Sequence, residues 1–218
     1  MSIESNDEGS NPAIGIVDTG VANIESMIVA FRRIGVRTFR IRTSSEVTDA
    51  PGIVLPGVGR FESGMSALDR HGMIDSIRER VLIGRPTLAV CLGLQMLASG
   101  SEESPDIPGI GVFDGFVRRL PPGPVRPHLG WNRVEMEGSD GSPGVLAPGA
   151  AYFANGFALD DVPSGWSAAW SSDGGRFISA LERDGVVACQ FHPEISGAYG
   201  SGLLSRWTSL VGKESPCC

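Results

Sequence analysis

Three short apolar runs, AIGIVD (13–18), GIVLPG (52–57) and PTLAV (86–90), each lead towards a stretch with helical periodicity. Strands buried on both faces read as continuous apolar runs, and parallel neighbours need crossover connections. The pattern therefore predicts βαβ units and a parallel, mostly buried sheet with helices packed against it. VRTFRI (36–41) is a further strand. IESMIVAFRRIG (24–35) carries Ile24, Met27, Ile28 and Phe31 at helical spacing, with Gly35 as the stop. Residues 62–83 are helical with a break at Gly72, and CLGLQMLASG (91–100) is a helix closed by Gly100.

From about residue 110 the texture changes. GVFDGFVRRL, WNRVEM, AAYFAN, SAAWSS and RFISALERDGVVACQF are short β-like stretches separated by Pro, Gly and Asp. Asp-Gly within ERDGVV is a hairpin signal. GSGLLSRWTSLVG is a closing amphipathic helix, and PPGPVRP (121–127) reads as a stiff loop. There is no internal repeat and no interdomain linker, so the 218 residues form one domain over 13–211. The polar N-terminus, residues 1–12, reads as a disordered tail rather than a secretory signal, and 212–218 as a C-terminal tail.

Composition narrows the function. A net charge of -7 with no Lys/Arg block argues against a nucleic-acid footprint. No apolar stretch reaches the ~18 residues needed to span a bilayer. Lys213 is the only lysine, so a site needing a flexible ammonium has nowhere else to find one. Four cysteines without metal-type spacing read as a reduced, cytoplasmic chain, and Cys217-Cys218 as an end without function.

Cys91 stands where an apolar strand turns directly into a helix, in the sequence V-C-L-G-L-Q. That is the form of a nucleophile elbow, in which glycines let neighbouring backbone pass close to the nucleophile. The helix start favours a thiolate, and the Leu92 N–H is placed to meet an oxyanion. A small buried hydrophobe is the plainer reading of the same cysteine. A nucleophilic thiol needs a base and a group to orient it. His192, in ACQFHPEIS, has Glu194 two residues on, on the same side of an extended segment. His71 lies in a charged helix end, and His128 has no acid close in sequence.

Cys91 with His192-Pro193-Glu194 resembles the triad of class I glutamine amidotransferases. PGVG (56–59), PHLGWN (127–132) and D-T-G-V-A-N (18–23) are similar, within that family, to the HisH-type glutaminase subunits of imidazole glycerol phosphate synthase. The resemblance runs from about residue 13 to 211 and implies an α/β, flavodoxin-like three-layer sandwich with a mixed central sheet. It implies hydrolysis of glutamine through a γ-glutamyl thioester on Cys91, with His192 as acid and base and Glu194 orienting it. Leu92 and the Gly57-Val58 loop would meet the oxyanion, Gly57 and Gly59 adopting positive φ there. Gly59, Gln95 and Glu103 would contact substrate, as would Asn155, Gly156 and Phe157. Ammonia would pass to a HisF-like (β/α)8 cyclase subunit in a heterodimer, across a face holding Asn23, Trp131, Tyr152 and Ile195. Neither metal nor cofactor is implied.

The chain departs from the family in three places. Tyr152-Phe153-Ala154-Asn155-Gly156-Phe157 stands for Y-F-V-H-S-Y, losing a histidine and a hydroxyl. Ile195 replaces the lysine after H-P-E, and Ala22 a glycine of the opening loop. These changes spare the triad and fall on the docking and gating surface. They leave open a paralogue feeding ammonia to a different synthase, a cysteine hydrolase of another kind, or a non-catalytic binding subunit.

Overall fold

The computed structural model describes residues 13–18, 20, 22–122, 127–136 and 144–212. The two expected tails beyond Gly212 and before Ala13, with Lys213, Cys217 and Cys218, lie outside the described residues, as do Thr19, Val21 and residues 123–126 of the proline-rich stretch.

The first half alternates as the apolar runs require: β1 (Ile14–Val17), α1 (Ile24–Arg33), β2 (Thr38–Ile41), α2 (Ser44–Asp49), β3 (Gly52–Gly57), α3 (Phe61–Arg70), α4 (Ile74–Leu82), β4 (Thr87–Cys91) and α5 (Leu92–Leu97). The second half is mostly strand: β5 (Gly100–Ser101), β6 (Phe116–Arg119), β7 (His128–Met136), β8 (Gly149–Asn155), β9 (Phe157–Leu159), β10 (Ser167–Ser172), β11 (Arg176–Arg183) and β12 (Val186–Cys189). A 3₁₀ turn (Pro193–Ile195) and α6 (Gly197–Thr208) close the chain.

Nine strands form one sheet in the order β2-β1-β3-β4-β12-β11-β10-β7-β8, and β5-β6-β9 form a small second sheet. The half from β2 to β12 is parallel, and from β12 to β8 each neighbour is antiparallel. The sheet is thus mixed rather than simply parallel. The Asp184-Gly185 turn is the reason: it joins β11 to β12 as a hairpin, and Asp184 takes φ 53 to make it.

The strands' period of two divides the core between the faces. Val54, Leu88, Val90 and Val187 pack with Met27 and Phe31 of α1 and Leu203 and Trp207 of α6. Ile53, Leu55, Ala89 and Ala188 pack on the other side with Val47, Phe61, Ile77 and Leu94 from α2 to α5. Helices therefore cover both faces, giving three layers.

Two elements differ from the sequence reading. α2 follows from a capping box, in which the Thr43 Oγ1 accepts from the Glu46 N–H and the Glu46 carboxylate accepts from the Thr43 N–H. α5 stops at Leu97 rather than at Gly100. Its last carbonyls are taken by another segment: Ile110 N–H donates to Met96 O and Val112 N–H to Leu97 O. Gly100 instead begins β5.

The parallel half sets the site. β3 and β4 run side by side so that Gly57 pairs with Cys91, and α5 leaves the sheet at that point. A Cβ at Gly93 would collide with the Leu55 carbonyl oxygen, and one at Gly57 would lie 2.7 Å from the Leu92 Cβ. Gly93→Ala should therefore cost roughly 2 kcal/mol or more, the range of core overpacking. Chemical denaturation checks this. An unchanged midpoint would mean that α5 can lift off β3 freely.

Candidate active site

Cys91 ends β4 with φ 55 and ψ -108, in the left-handed half of the map that non-glycine residues avoid. Hydrogen bonds of β4 to β3 and β12 hold one side of the turn, and the pressed start of α5 holds the other. The strained residue lines a cavity of about 740 Å³, together with Val58, Gly59, Leu92, Gln95, Phe157 and His192 among others. Cys189, the other described cysteine, is fully buried, and burial raises its thiol well above the ordinary range.

The cavity receives His192 from the far side of β12. Its Nδ1 donates to Glu194 Oε1 at 2.8 Å, both side chains being less than a tenth exposed. The pairing does not arise from an extended segment. Pro193 starts a 3₁₀ turn, which folds Glu194 back beneath the imidazole. The His192 backbone is tied down as well: its N–H donates to Tyr152 O, and Ser196 Oγ donates to its carbonyl. The imidazole and the Cys91 side chain line the same cavity, close enough for the sulfur to act on the ring's charge. Burial alone would discharge the ring, but the Cys91 and Glu194 contacts and charges outweigh it and push His192 up to about 10. Glu194 Oε2 is buried without a partner among the described residues.

A second glutamine, which the sequence reading passed over, completes the polar wall. Gln190 is fully buried; its Nε2 donates to Cys91 Sγ at 3.6 Å, and its Oε1 accepts from Gln95 Nε2 at 3.1 Å. The signal was present, since Gln190 and His192 are two apart just beyond a strand. Gln95 also donates to Phe157 O at 3.1 Å. Glu103 lines the cavity with one oxygen, Oε2, held by the Phe61 N–H at 2.8 Å.

Several expected roles change with the geometry. Gly57 does not adopt positive φ; it is an ordinary strand residue, and its missing Cβ serves the close approach of Leu92. Gly59 does, at φ 93. Asn155 does not line the cavity. Its side chain is buried and donates to Phe157 O, while Ala154, Gly156 and Phe157 form that wall. The stretch 152–157 is no loop but the end of β8 and the start of β9. His128 has an acid after all, Asp173 Oδ2 at 2.9 Å, yet it packs against Phe153 and Phe177 away from the cavity. His71 is exposed at the end of α3.

The residues expected at a partner face are placed as follows. Trp131 is 59% and Ile195 47% exposed, and Trp131 meets Tyr152 edge to face. Asn23 is exposed, with its side chain capping α1 through the Ser26 N–H. Among the described residues no group of His, Cys, Asp and Glu could hold a metal ion, and no helix is long and apolar enough to cross a membrane.

Residues 15–207 match the family model described as glutamine amidotransferase class-I. The chain is 36% identical over 199 residues to the imidazole glycerol phosphate synthase subunit HisH of Symbiobacterium thermophilum, covering 91% of this chain and 94% of that protein. It is 37% identical to the HisH subunit of Deinococcus radiodurans, over 90% and 93% of the two chains. The Emericella nidulans imidazole glycerol phosphate synthase hisHF is 33% identical, with 88% of this chain matching 37% of that longer protein. Among solved structures, a glutamine amidotransferase superposes with a TM-score of 0.73 at 20% identity, over 91% of this chain and 98% of that one. PurLQS from Thermotoga maritima gives 0.71 at 17%, with the same coverage.

The raised imidazole yields a test. Because His192 titrates above its ordinary 6.5, at about 10, its protonation stabilises the fold fully below pH 6.5. That contribution is lost as pH rises through the folded value. Cys91→Ala removes the sulfur and leaves burial opposed by Glu194 alone, so the ring should titrate at lower pH. NMR of the His192 ring reads this directly; an identical titration in both proteins would rule out any contribution of Cys91 to the raised imidazole.

Proposed function

The chain belongs to the class I glutamine amidotransferases, and we propose that Cys91, His192 and Glu194 are the triad with which it acts as the glutaminase subunit of an imidazole glycerol phosphate synthase. It hydrolyses glutamine to glutamate and ammonia in histidine biosynthesis. The observation that carries the residue assignment is that the strained Cys91 and the Glu194-bound His192 imidazole line one cavity.

The chemistry follows from that placement. The Cys91 thiolate attacks the γ-amide carbon of glutamine, and the carbonyl electrons move onto oxygen. His192, already protonated, gives its proton to the amide nitrogen; the C–N bond breaks and ammonia leaves. The thioester remains on Cys91. A water then loses a proton to His192 as it attacks the thioester carbon, and the C–S bond breaks to release glutamate. Glu194 keeps the ring oriented through both steps. The Leu92 N–H and a backbone N–H of the Gly57-Val58 segment are the proposed oxyanion donors, beside a cavity rimmed by Val58 and Gly59. Gln95 and Glu103 contact the far end of the substrate, with Gly156 and Phe157 as the side wall. Two free thiols, Cys91 and Cys189, suit a reducing compartment, and the cytoplasm is the proposed location.

The partner we infer is a HisF-like (β/α)8 cyclase, docked as a heterodimer on the face of Trp131, Tyr152 and Ile195. An exposed tryptophan and isoleucine flanking the triad turn are an apolar patch of the kind that marks an interface. In the family resemblance a lysine follows H-P-E; here Ile195 cannot make a charge-assisted contact.

Two experiments test this reading. A glutamine-mimicking diazo-ketone should alkylate Cys91 and spare Cys189; modification mainly at Cys189 would sink the assignment. For the partner, Ile195→Lys should raise glutaminase stimulation by a foreign cyclase that presents an acid at that spot, and lower stimulation by the chain's own cyclase. If wild type and variant respond alike to both barrels, Ile195 carries no partner information.

A further inference from the structure

Apart from His192, two charged side chains among the described residues line the cavity above Cys91: Glu103 and Arg119. Glu103 is fixed by the start of α3 through Oε2, leaving its other oxygen for a ligand. Arg119 ends β6, directly across from Phe157 of β9 in the small sheet. Its guanidinium lies over the Phe157 ring, 4.7 Å from the centroid. Strand alternation sends the preceding Arg118 to the opposite side, where it pairs with Asp160 at 3.1 Å. No carboxylate among the described residues pairs with the Arg119 guanidinium; Glu102 accepts only from the Arg119 backbone N–H. Gly156 and Phe157 beside it bring no side-chain hydrogen-bond donor. Arg119 is therefore the strong donor on that wall.

Free glutamine carries an ammonium and a carboxylate on one carbon. A site that selects the free amino acid needs one anion and one cation at the end away from the thiol. We propose that Arg119 binds the α-carboxylate of glutamine, the counterpart to Glu103, which the glutaminase reading above already sets at the substrate's amino-acid end and on which this assignment rests. A guanidinium lying over an aromatic ring keeps its N–H edge available, and that planar edge matches a carboxylate in two parallel hydrogen bonds. The Phe157 ring, which lacks a hydroxyl, serves as the platform that turns Arg119 inward. The charge pair would exclude glutamine residues inside peptides, whose α-groups are amides.

The test compares L-glutamine with L-glutamine α-amide, which keeps the ammonium and side chain but loses the carboxylate. With the full wild-type chain, kcat/KM should favour glutamine. Arg119→Gln should lower that preference by roughly tenfold, the low end for a charge-assisted hydrogen bond because Arg119 is exposed to water. The loss should appear in KM for glutamine more than in kcat, and KM for the α-amide should change little. Arg119→Lys, a point charge without the planar fork, should retain part of the preference. A merely structural role for Arg119 would weaken both substrates equally and leave the ratio unchanged; that result overturns the proposal. A wild type that hydrolyses neither substrate overturns the glutaminase reading itself.

Discussion

Everything at the site hangs from the place where α5 presses onto β3. Gly93 has no side chain because the Leu55 carbonyl occupies that space, and Gly57 has none because Leu92 does. Pressed this close, the first turn of α5 can leave β4 only through a residue with positive φ, and that residue is Cys91. Backbone in that region is costly for a cysteine, of order 1–3 kcal/mol. It persists because the β3-β4-β12 ladder fixes one side of the turn and the apolar packing of Leu92, Leu94 and Met96 fixes the other. The strain lifts the sulfur out of the core and into the cavity.

Around that sulfur the polar groups form one chain. Gln95 donates to Gln190 and Gln190 donates to the thiol, while His192, paired with Glu194, lines the same cavity. In a low-dielectric pocket each unpaired member would be expensive, so the chain holds its members in one arrangement. Gln190 and His192 bracket the sulfur from the direction of β12, Leu92 and the end of β3 from the other. Glu194 Oε2 is buried without a partner among the described residues, and Glu194 also lines a separate cleft with Arg33 and Ile195. Glu194 thus stands between the cavity of Cys91 and the exposed face.

Local signals carried the parallel half of the fold and the proposed nucleophile Cys91 into view. Apolar runs, helical spacing and the strand-to-helix turn at Cys91 depend on near neighbours, which a sequence displays. The misreadings share an opposite cause. Whether Gly57 needs positive φ or merely a missing Cβ depends on Leu92, thirty-odd positions away. His128 has no acid close in sequence, and the one that pairs with it, Asp173, comes from a distant part of the chain. The end of α5 depends on where residues 110–112 donate. The capping box at Thr43 and Glu46 is the exception, being local and readable yet passed over. His192 and Glu194 were paired correctly as neighbours for the wrong geometric reason, since a proline-started 3₁₀ turn brings them together.

The exposed face and the triad are linked by contacts that need no long path. Trp131 meets Tyr152 across β7 and β8, where the two are register partners. The Tyr152 carbonyl accepts from the His192 N–H, and the Tyr152 N–H donates to Ser196 Oγ, which in turn donates to the His192 carbonyl. A ring of three hydrogen bonds therefore clamps His192 to the strand whose neighbour bears the exposed tryptophan. Contiguity alone does not make a switch; an element with two arrangements is needed, and a partner must bind one of them better. The clamp is poorly suited to be that element, because every bond in it is satisfied. The segment after β3 is better suited. Beyond Gly57 it leaves the ladder, Val58 is 39% exposed, and Gly59 adopts φ 93 with open space about it. The proposed partner would thus leave Cys91, His192 and Glu194 rigid and act on the segment after β3, where rearrangement costs least.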